Sequence, residues 1–255
     1  MSETNRLYND LAWLWPYWGD PSDDYAHWCA QANRLIERHA SRRVRTILNM
    51  GCGGGKNAYN LKGYYSVTGI DLSPAMLDLA RQLNPECQFI QADMRDFNLD
   101  RTFDAILVDD AISYMTSLEE LRLVFACAWR QLASDGVLLV SPDETRETFR
   151  QNHTEVSPAE GRRFPWPGQD RPADLDVVFI ENYYDPDPAD STYEATFLYL
   201  IRKGGKLQVE TDHHRLGLFS LEEWRDTLRI AGFKLHEEPD TEFERLTPIF
   251  VCLKA

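Results

Sequence analysis

Between Arg43 and Pro142, short apolar runs alternate with amphipathic stretches. Val44-Arg-Thr-Ile-Leu-Asn-Met50 predicts a first buried strand, Tyr65-Ser-Val-Thr-Gly-Ile70 a second and Cys87-Gln-Phe-Ile90 a third. Phe103-Asp-Ala-Ile-Leu-Val108 and Gly136-Val-Leu-Leu-Val140 supply a fourth and a fifth. The stretches between them read as helices with legible ends. Ser73 is a cap, and Pro74 has the fixed φ that suits a first helical turn; Met76, Leu77, Leu79 and Ala80 follow as its apolar face. Ser117 and Glu120 form a reciprocal capping pair ahead of Leu121, Val124, Phe125, Ala128 and Leu132, and Asp135-Gly136 turns the chain into the fifth strand. Strands separated by helices pair in parallel and are covered on both faces, so the core is a doubly wound α/β sheet.

Past Pro142 the pattern changes. Residues 143 to 175 are polar, contain Phe164-Pro-Trp-Pro167 and read as a loop with one short helix. Leu175–Tyr184, Thr192–Arg202 and Leu207–Arg215 then read as strands, the last two joined by the two-glycine turn of Lys203-Gly-Gly-Lys206. They lie too close together for helical crossovers, so they are expected to be antiparallel. Ser220 and Glu223 cap a further helix through Trp224 and Leu228 to Gly232, and Phe233–His236 and Ile249–Leu253 close the sheet. At the other end, Leu7, Leu11, Leu14 and Trp18 share one helical face, which predicts an amphipathic helix over Tyr8–Trp18. The organisation expected is an N-terminal helical lid (1–40), a ligand-binding core (41–142), an antiparallel cap inserted into it (143–214) and a closing helix with strands (215–255).

Charge and composition narrow the classes. The chain has 255 residues, 43% hydrophobic, with 27 basic against 41 acidic side chains and a formal charge of -14. That balance excludes proteins that coat nucleic acid or anionic membranes, since both need a basic face. No apolar run approaches the roughly 18 residues of a membrane helix, and the first residues lack the basic and apolar blocks of a secretory signal. The expectation is a cytoplasmic protein, monomeric or homodimeric, acting on a small molecule. Cys29, Cys52, Cys87, Cys127 and Cys252 are scattered, which predicts reduced thiols and no metal site. Of the 41 acidic residues, 15 fall between 143 and 214, against 8 basic ones, so half the net charge lies on the cap.

The most informative stretch is Ile47-Leu-Asn-Met-Gly51-Cys52-Gly53-Gly54-Gly55, at the end of the first strand. Glycines let the backbone turn tightly and approach a ligand where a Cβ would clash. A phosphate-gripping P-loop needs four residues between its glycines and then Lys-Ser or Lys-Thr; here three intervene and Asn57 follows Lys56. A dinucleotide fingerprint wants a third glycine where Lys56 stands. What fits is Gly51-x-Gly53-x-Gly55 with Asp71 closing the second strand, where a carboxylate can accept hydrogen bonds from both hydroxyls of a ribose. The third strand ends in Gln91-Ala-Asp93-Met94, a polar group beside a flat apolar one, suited to the amino group and ring of an adenine.

Asn49–Gly55, Gly69–Ala80, Gln91–Met94, Phe103–Val108 and Leu132–Val140 together resemble the successive motifs of the class I S-adenosylmethionine-dependent methyltransferases. The likeness covers about residues 40 to 142 and, more loosely, the final helix and strands. It implies a Rossmann-like, mostly parallel seven-stranded sheet and S-adenosylmethionine as cofactor. It also implies that the glycine loop (Asn49, Gly51, Cys52, Gly53, Gly55) holds the methionine part, Asp71 the ribose, Asp93 and Met94 the adenine, with Leu72 and Met76 packed near it and Val108 beneath the site. Asn49 stands where that family usually has an acidic residue linked to the cofactor's ammonium group. Leu7-Tyr8-Asn9-Asp10, Ala111-Ile-Ser113-Tyr114 and Asp212-His-His214-Arg-Leu-Gly-Leu-Phe219 are further similar to the small-molecule N-methyltransferases that act on amino sugars, in which Tyr8 would reach the cofactor's carboxylate.

Methyl transfer from a sulfonium needs no acid, because the leaving thioether is neutral; a base is needed only where the acceptor arrives protonated. Asp109, with Asp110, ends the fourth strand, where the pair either holds a cationic amine or accepts its proton, or else caps the following segment. On a strand His213 and His214 point to opposite faces, so at most one enters a cleft, and His214 is the candidate; Tyr114 could orient or deprotonate an acceptor. The reading is methyl transfer to a small molecule, at an amine nitrogen first. O- or C-methylation and a non-catalytic S-adenosylmethionine sensor are the alternatives.

Overall fold

The computed structural model describes residues 5–158, 164–168, 172, 174–242 and 246–254. Its elements run α1 (Asp24–His39), β1 (Thr46–Met50), α2 (Lys56–Leu61), β2 (Ser66–Asp71), α3 (Pro74–Leu83), β3 (Gln88–Gln91), β4 (Phe103–Val108), α4 (Leu118–Gln131) and β5 (Leu132–Val140). There follow β6 (His153–Pro158), β7 (Leu175–Tyr184), β8 (Thr192–Lys203), β9 (Lys206–Gly217), α5 (Leu221–Ile230), β10 (Lys234–Glu238) and β11 (Ile249–Leu253). Seven strands form one sheet in the order β10-β11-β5-β4-β1-β2-β3, in which only β11 runs against its neighbours. Strands β6 to β9 form a second, wholly antiparallel sheet. The doubly wound α/β sheet with an antiparallel insertion is therefore as the sequence predicts.

Successive side chains of a strand point to opposite faces, and here both faces are covered. Leu48, Met50, Ile106 and Val108 pack under α4 and α5 with Phe125 and Trp224. Ile47, Ala105 and Leu107 pack under α1, α2 and α3 with Trp28, Leu61 and Leu77. Burying one such Leu or Ile contributes about 1.5–3 kcal/mol, and the contiguous apolar runs of β1 and β4 are what this double burial requires. The capping serines act as expected, but the pair at Ser117 is one-sided, because the Glu120 carboxylate accepts the Thr116 N–H and not that of Ser117. Ser73, Ser117 and Ser220 each accept the backbone N–H three residues on, and Glu223 returns the bond to Ser220.

Three expectations are corrected. Tyr8–Trp18 is not one amphipathic helix but two 3₁₀ pieces, Arg6–Tyr8 and Ala12–Tyr17, because Pro16 lies inside the second and lacks the N–H that an α-helix would use. Its apolar set still faces inward, with Leu7, Leu11 and Leu14 buried. Among its described residues the 143–175 segment contains a strand, β6, and no helix. β6 is an edge strand whose only large aliphatic residue, Val156, is exposed, so it carries no inward apolar signal. Finally, Asp135-Gly136 does not separate helix from strand: α4 stops at Gln131, and β5 already pairs Leu132 with Phe103, taking up Asp135 at φ 61 within an irregular strand. Part of the 143–175 segment lies outside the described residues. No helix among the described residues is long and apolar enough to cross a membrane.

Candidate active site

The glycine loop leaves β1 at the carboxyl edge of the sheet, where loops of doubly wound folds hold ligands. Gly51, Gly53 and Gly55 have φ of 72°, 49° and 81°, which a side chain would resist. At Gly51 space is also limiting, since a Cβ there would overlap that of Ala111. The amides of Gly51 and Cys52 both bond the Ile70 carbonyl at 2.8 and 2.9 Å, locking the loop to β2. Asp71 finishes that strand. Its Oδ2 accepts the Gly53 N–H at 2.8 Å and its Oδ1 the Ser73 N–H at 2.9 Å, while burial, opposed by these bonds, raises its pKa. Each carboxylate oxygen offers two acceptor sites, so these amides leave Asp71 room to accept from a further donor.

Asn49 lies in β1 between Gly69 and Leu107, is 1% exposed, and neither atom of its amide has a hydrogen-bond partner among the described residues. A buried amide without partners is costly, and its place beneath the glycine loop fits the polar end of a ligand. Val108 is buried, paired with Met50 and Val140, and Cys52 is buried with its thiol pKa pushed well up by desolvation. Leu72 is exposed, Met94 touches the loop near Gly51, and Met76 is fully buried beside Ala12 and Trp166. Asp93 comes to the strand end already ion-paired. Arg95 engages both its oxygens, at 2.6 Å for the shortest contact, and holds its pKa low while also binding Glu120.

The N-terminal segment covers this loop. Lys56, 1% exposed, donates its ammonium to the carbonyls of Trp15 and Trp18, and lies over the Trp15 ring at 4.4 Å. The Trp15 indole is in turn packed on Gly53 and Gly54. Ser73, besides capping α3, donates to the Tyr8 carbonyl. Lys56 is the residue that takes the place of the dinucleotide fingerprint's third glycine; its hold on the N-terminal segment had no signal in sequence.

Tyr8, Tyr114 and His214, far apart in sequence, meet. The Tyr8 and Tyr114 hydroxyls are 2.8 Å apart, Tyr114 reaches Nδ1 of His214 at 2.5 Å, and Nε2 of His214 reaches Oδ2 of Asp212 at 2.8 Å. The Leu7 amide donates to the same carboxylate oxygen at 2.7 Å. Burial works to raise the Asp212 pKa, but the His214 ring and backbone amides outweigh it and the carboxyl stays below its ordinary value. An ionised carboxylate only accepts, so Nε2 carries the ring proton and Nδ1 accepts from Tyr114. Desolvation lifts the pKa of Tyr8 and Tyr114, keeping both as neutral phenols. His213 is exposed on the other face, as strand alternation requires. Asp212 was legible in principle, two residues before His214 on the same strand face, but no role was assigned to it from sequence. Asp109 accepts from the Asn57 amide at 3.1 Å at the start of α2.

Comparison with known proteins agrees with this geometry. Residues 47–136 match the methyltransferase domain family. Over 218 residues, 85% of this chain and 80% of the other, the sequence is 30% identical to the dTDP-3-amino-3,6-dideoxy-alpha-D-glucopyranose N,N-dimethyltransferase of Streptomyces fradiae. The chain belongs to the S-adenosylmethionine-dependent methyltransferases. The methyltransferase also shares its fold with DesVI of Streptomyces venezuelae, with a TM-score of 0.79 at 23% identity over 96% of both chains. The amino pentose methyltransferase CalS10 of Micromonospora echinaspora, solved with S-adenosylmethionine bound, superposes with a TM-score of 0.77 at 22% identity, again over 96% of each. S-adenosylmethionine is the cofactor, and the non-catalytic alternative falls.

Proposed function

We propose that this methyltransferase acts on the amine nitrogen of a small molecule, with Tyr8, Tyr114, His214 and Asp212 managing the acceptor's proton. The bound cofactor supplies an electrophilic methyl on a sulfonium. Asp71 and the glycine loop would hold its ribose and methionine ends, Asn49 would hydrogen-bond the polar end, and Asp93 with Met94 would meet the adenine.

An alkylammonium has no lone pair and must lose a proton before it can attack. The observation that carries the reading is the directed chain of bonds from Tyr8 through Tyr114 to an imidazole backed by an ionised, buried carboxylate. A proton delivered to Tyr8 can pass from hydroxyl to hydroxyl and come to rest on Nδ1 of His214, where Asp212 stabilises the imidazolium. The lid of Trp15 and Trp18 keeps water from the reacting atoms. The activity named for the Streptomyces fradiae relative, N,N-dimethylation of an amino sugar nucleotide, points to the same acceptor class.

The test is a screen of amines, amino sugars, phenols and carboxylic acids for transfer of radiolabelled methyl from S-adenosylmethionine. Label on amines, among them dTDP-3-amino-3,6-dideoxy-alpha-D-glucopyranose, is the expected outcome. Label confined to phenols or acids would reject the nitrogen assignment.

A further inference from the structure

The inner face of the antiparallel sheet carries a second polar pair that the proton chain does not use. Strand register aligns Asp212, Phe197, Glu181 and Glu155 in one row across β9, β8, β7 and β6, and His214, Ala195, Tyr183 and His153 in the next. Three of the four strands therefore set a carboxylate beside a ring. Asp212 has His214, Glu155 has His153 at 3.1 Å, and the Tyr183 hydroxyl donates to Oε2 of Glu181 at 2.5 Å. Strand spacing of about 4.8 Å puts Glu181 roughly 10 Å from Asp212, across Phe197.

Glu181 is the odd member of the row. Glu155 is exposed to water, and Asp212 is held by an imidazole and a backbone amide. Glu181 is 8% exposed, and no Lys, Arg or His among the described residues pairs with it. A buried carboxylate without a cation is costly, and a like charge directly across the strand pair adds to the cost. Burial first, then the charges of Glu155 and Asp110, push Glu181 up to about 7 against the Tyr183 hydrogen bond. The groups facing it are Tyr183 on its own strand, Glu155 and His153 from β6, Tyr199 from β8 and Asp110 from the turn after β4. Tyr199 is also incomplete. Its hydroxyl is buried on this same face, has no hydrogen-bond partner among the described residues, and feels the charges of both Asp212 and Glu181.

We propose that Glu181, with the phenol oxygens of Tyr183 and Tyr199, is the subsite that receives the acceptor's ammonium group. The proposal rests on the amine reading above and adds how the acceptor's charge is selected. An ammonium brings the missing positive charge and three donors, one for the carboxylate, one for a phenol oxygen and one left for the Tyr8 hydroxyl that starts the proton chain. A neutral hydroxyl in the same place supplies one donor and no charge. Glu181 thus discriminates amine from alcohol, and its ionisation makes that preference fade as the pH falls through about 7.

The test is calorimetry at saturating S-adenosylhomocysteine, with two probes. One is dTDP-3-amino-3,6-dideoxy-alpha-D-glucopyranose; the other is the same sugar nucleotide with a hydroxyl in place of the amine. The wild-type protein is expected to bind the amine about 10- to 100-fold more tightly, the range of a charged hydrogen bond. Glu181→Gln loses that preference by weakening amine binding alone, with S-adenosylhomocysteine affinity unchanged, and Glu181→Asp restores part of it. A Glu181→Gln protein that keeps the wild-type preference overturns the subsite while leaving the amine reading intact. A wild-type protein that binds S-adenosylhomocysteine but shows no preference for the amine overturns both.

Discussion

In the seven-stranded sheet, β1 and β4 bury Ile47, Leu48, Ile106 and Leu107 completely, and among them stands Asn49, whose side-chain amide no described residue satisfies. In the four-stranded sheet, the inner face mixes Phe179, Phe197 and Tyr199 with Asp212, His214 and Glu181, all buried. The first sheet is held by hydrocarbon and can be read as a scaffold with a ligand-binding edge. The second places titratable groups where water cannot reach them, so its chemistry depends on which partners those groups have. Polar chemistry is confined to the rim of one sheet and spread over the face of the other.

The largest expected effect comes from disturbing the polar face of the cap. In Asp212→Asn the new amide can donate to Nε2 of His214, which moves the ring proton to Nδ1 and turns the acceptor facing Tyr114 into a donor. We expect kcat to fall by about 10²- to 10⁴-fold while S-adenosylhomocysteine binds as before. Steady-state kinetics with kcat within threefold of wild type would remove the proton chain from the mechanism.

Next in size is a pH effect that belongs to the buried carboxylate of the cap. Glu181 gives up its proton near 4.5 when unfolded but holds it to about 7 in the folded protein. The folded state thus binds more protons in this window. Its contribution is fully present below 4.5 and is lost as the pH rises to about 7, by on the order of 3 kcal/mol. Glu181→Gln should abolish this fall, so denaturant titrations at pH 5 and pH 8 should differ less for the variant than for wild type. Equal differences would mean that the cap does not bury this charge.

The smallest effect belongs to the rim of the scaffold. Asp71→Ala removes the carboxylate proposed to meet the ribose hydroxyls and should weaken S-adenosylhomocysteine binding by about 2 kcal/mol, leaving the amine-over-alcohol preference untouched. Calorimetry finding unaltered affinity would displace Asp71 from the cofactor site.

The two sheets also differed in how far the sequence revealed them. Period-two burial on both faces gives continuous apolar runs, so β1, β2 and β4 and the caps at Ser73 and Ser117 were visible, as was the glycine loop with Asp71. In the cap, β6 was missed because Val156 points outward and its inward positions, His153 and Glu155, are polar. The same alternation hid Asp212 and Glu181, each of which acquires meaning from a ring two residues on and from neighbours on other strands. His214 and Tyr114 were individually visible, but their 2.5 Å contact depends on how β9 seats against the turn after β4, which no local pattern encodes. The 3₁₀ path of Ala12–Tyr17 shows the reverse case, in which Pro16 was in plain view and the apolar spacing suggested a regular helix.

Lys56 ties two carbonyls of the N-terminal segment to the first turn of α2, and Ser73 ties a third to the start of α3. A segment fastened in this way must let go before anything lying between it and the glycine loop can be exchanged. The frequency of that release, rather than the strength with which the loop grips its ligand, then sets how long a spent cofactor stays. Substitutions at Lys56 would accordingly be felt as a change of residence time.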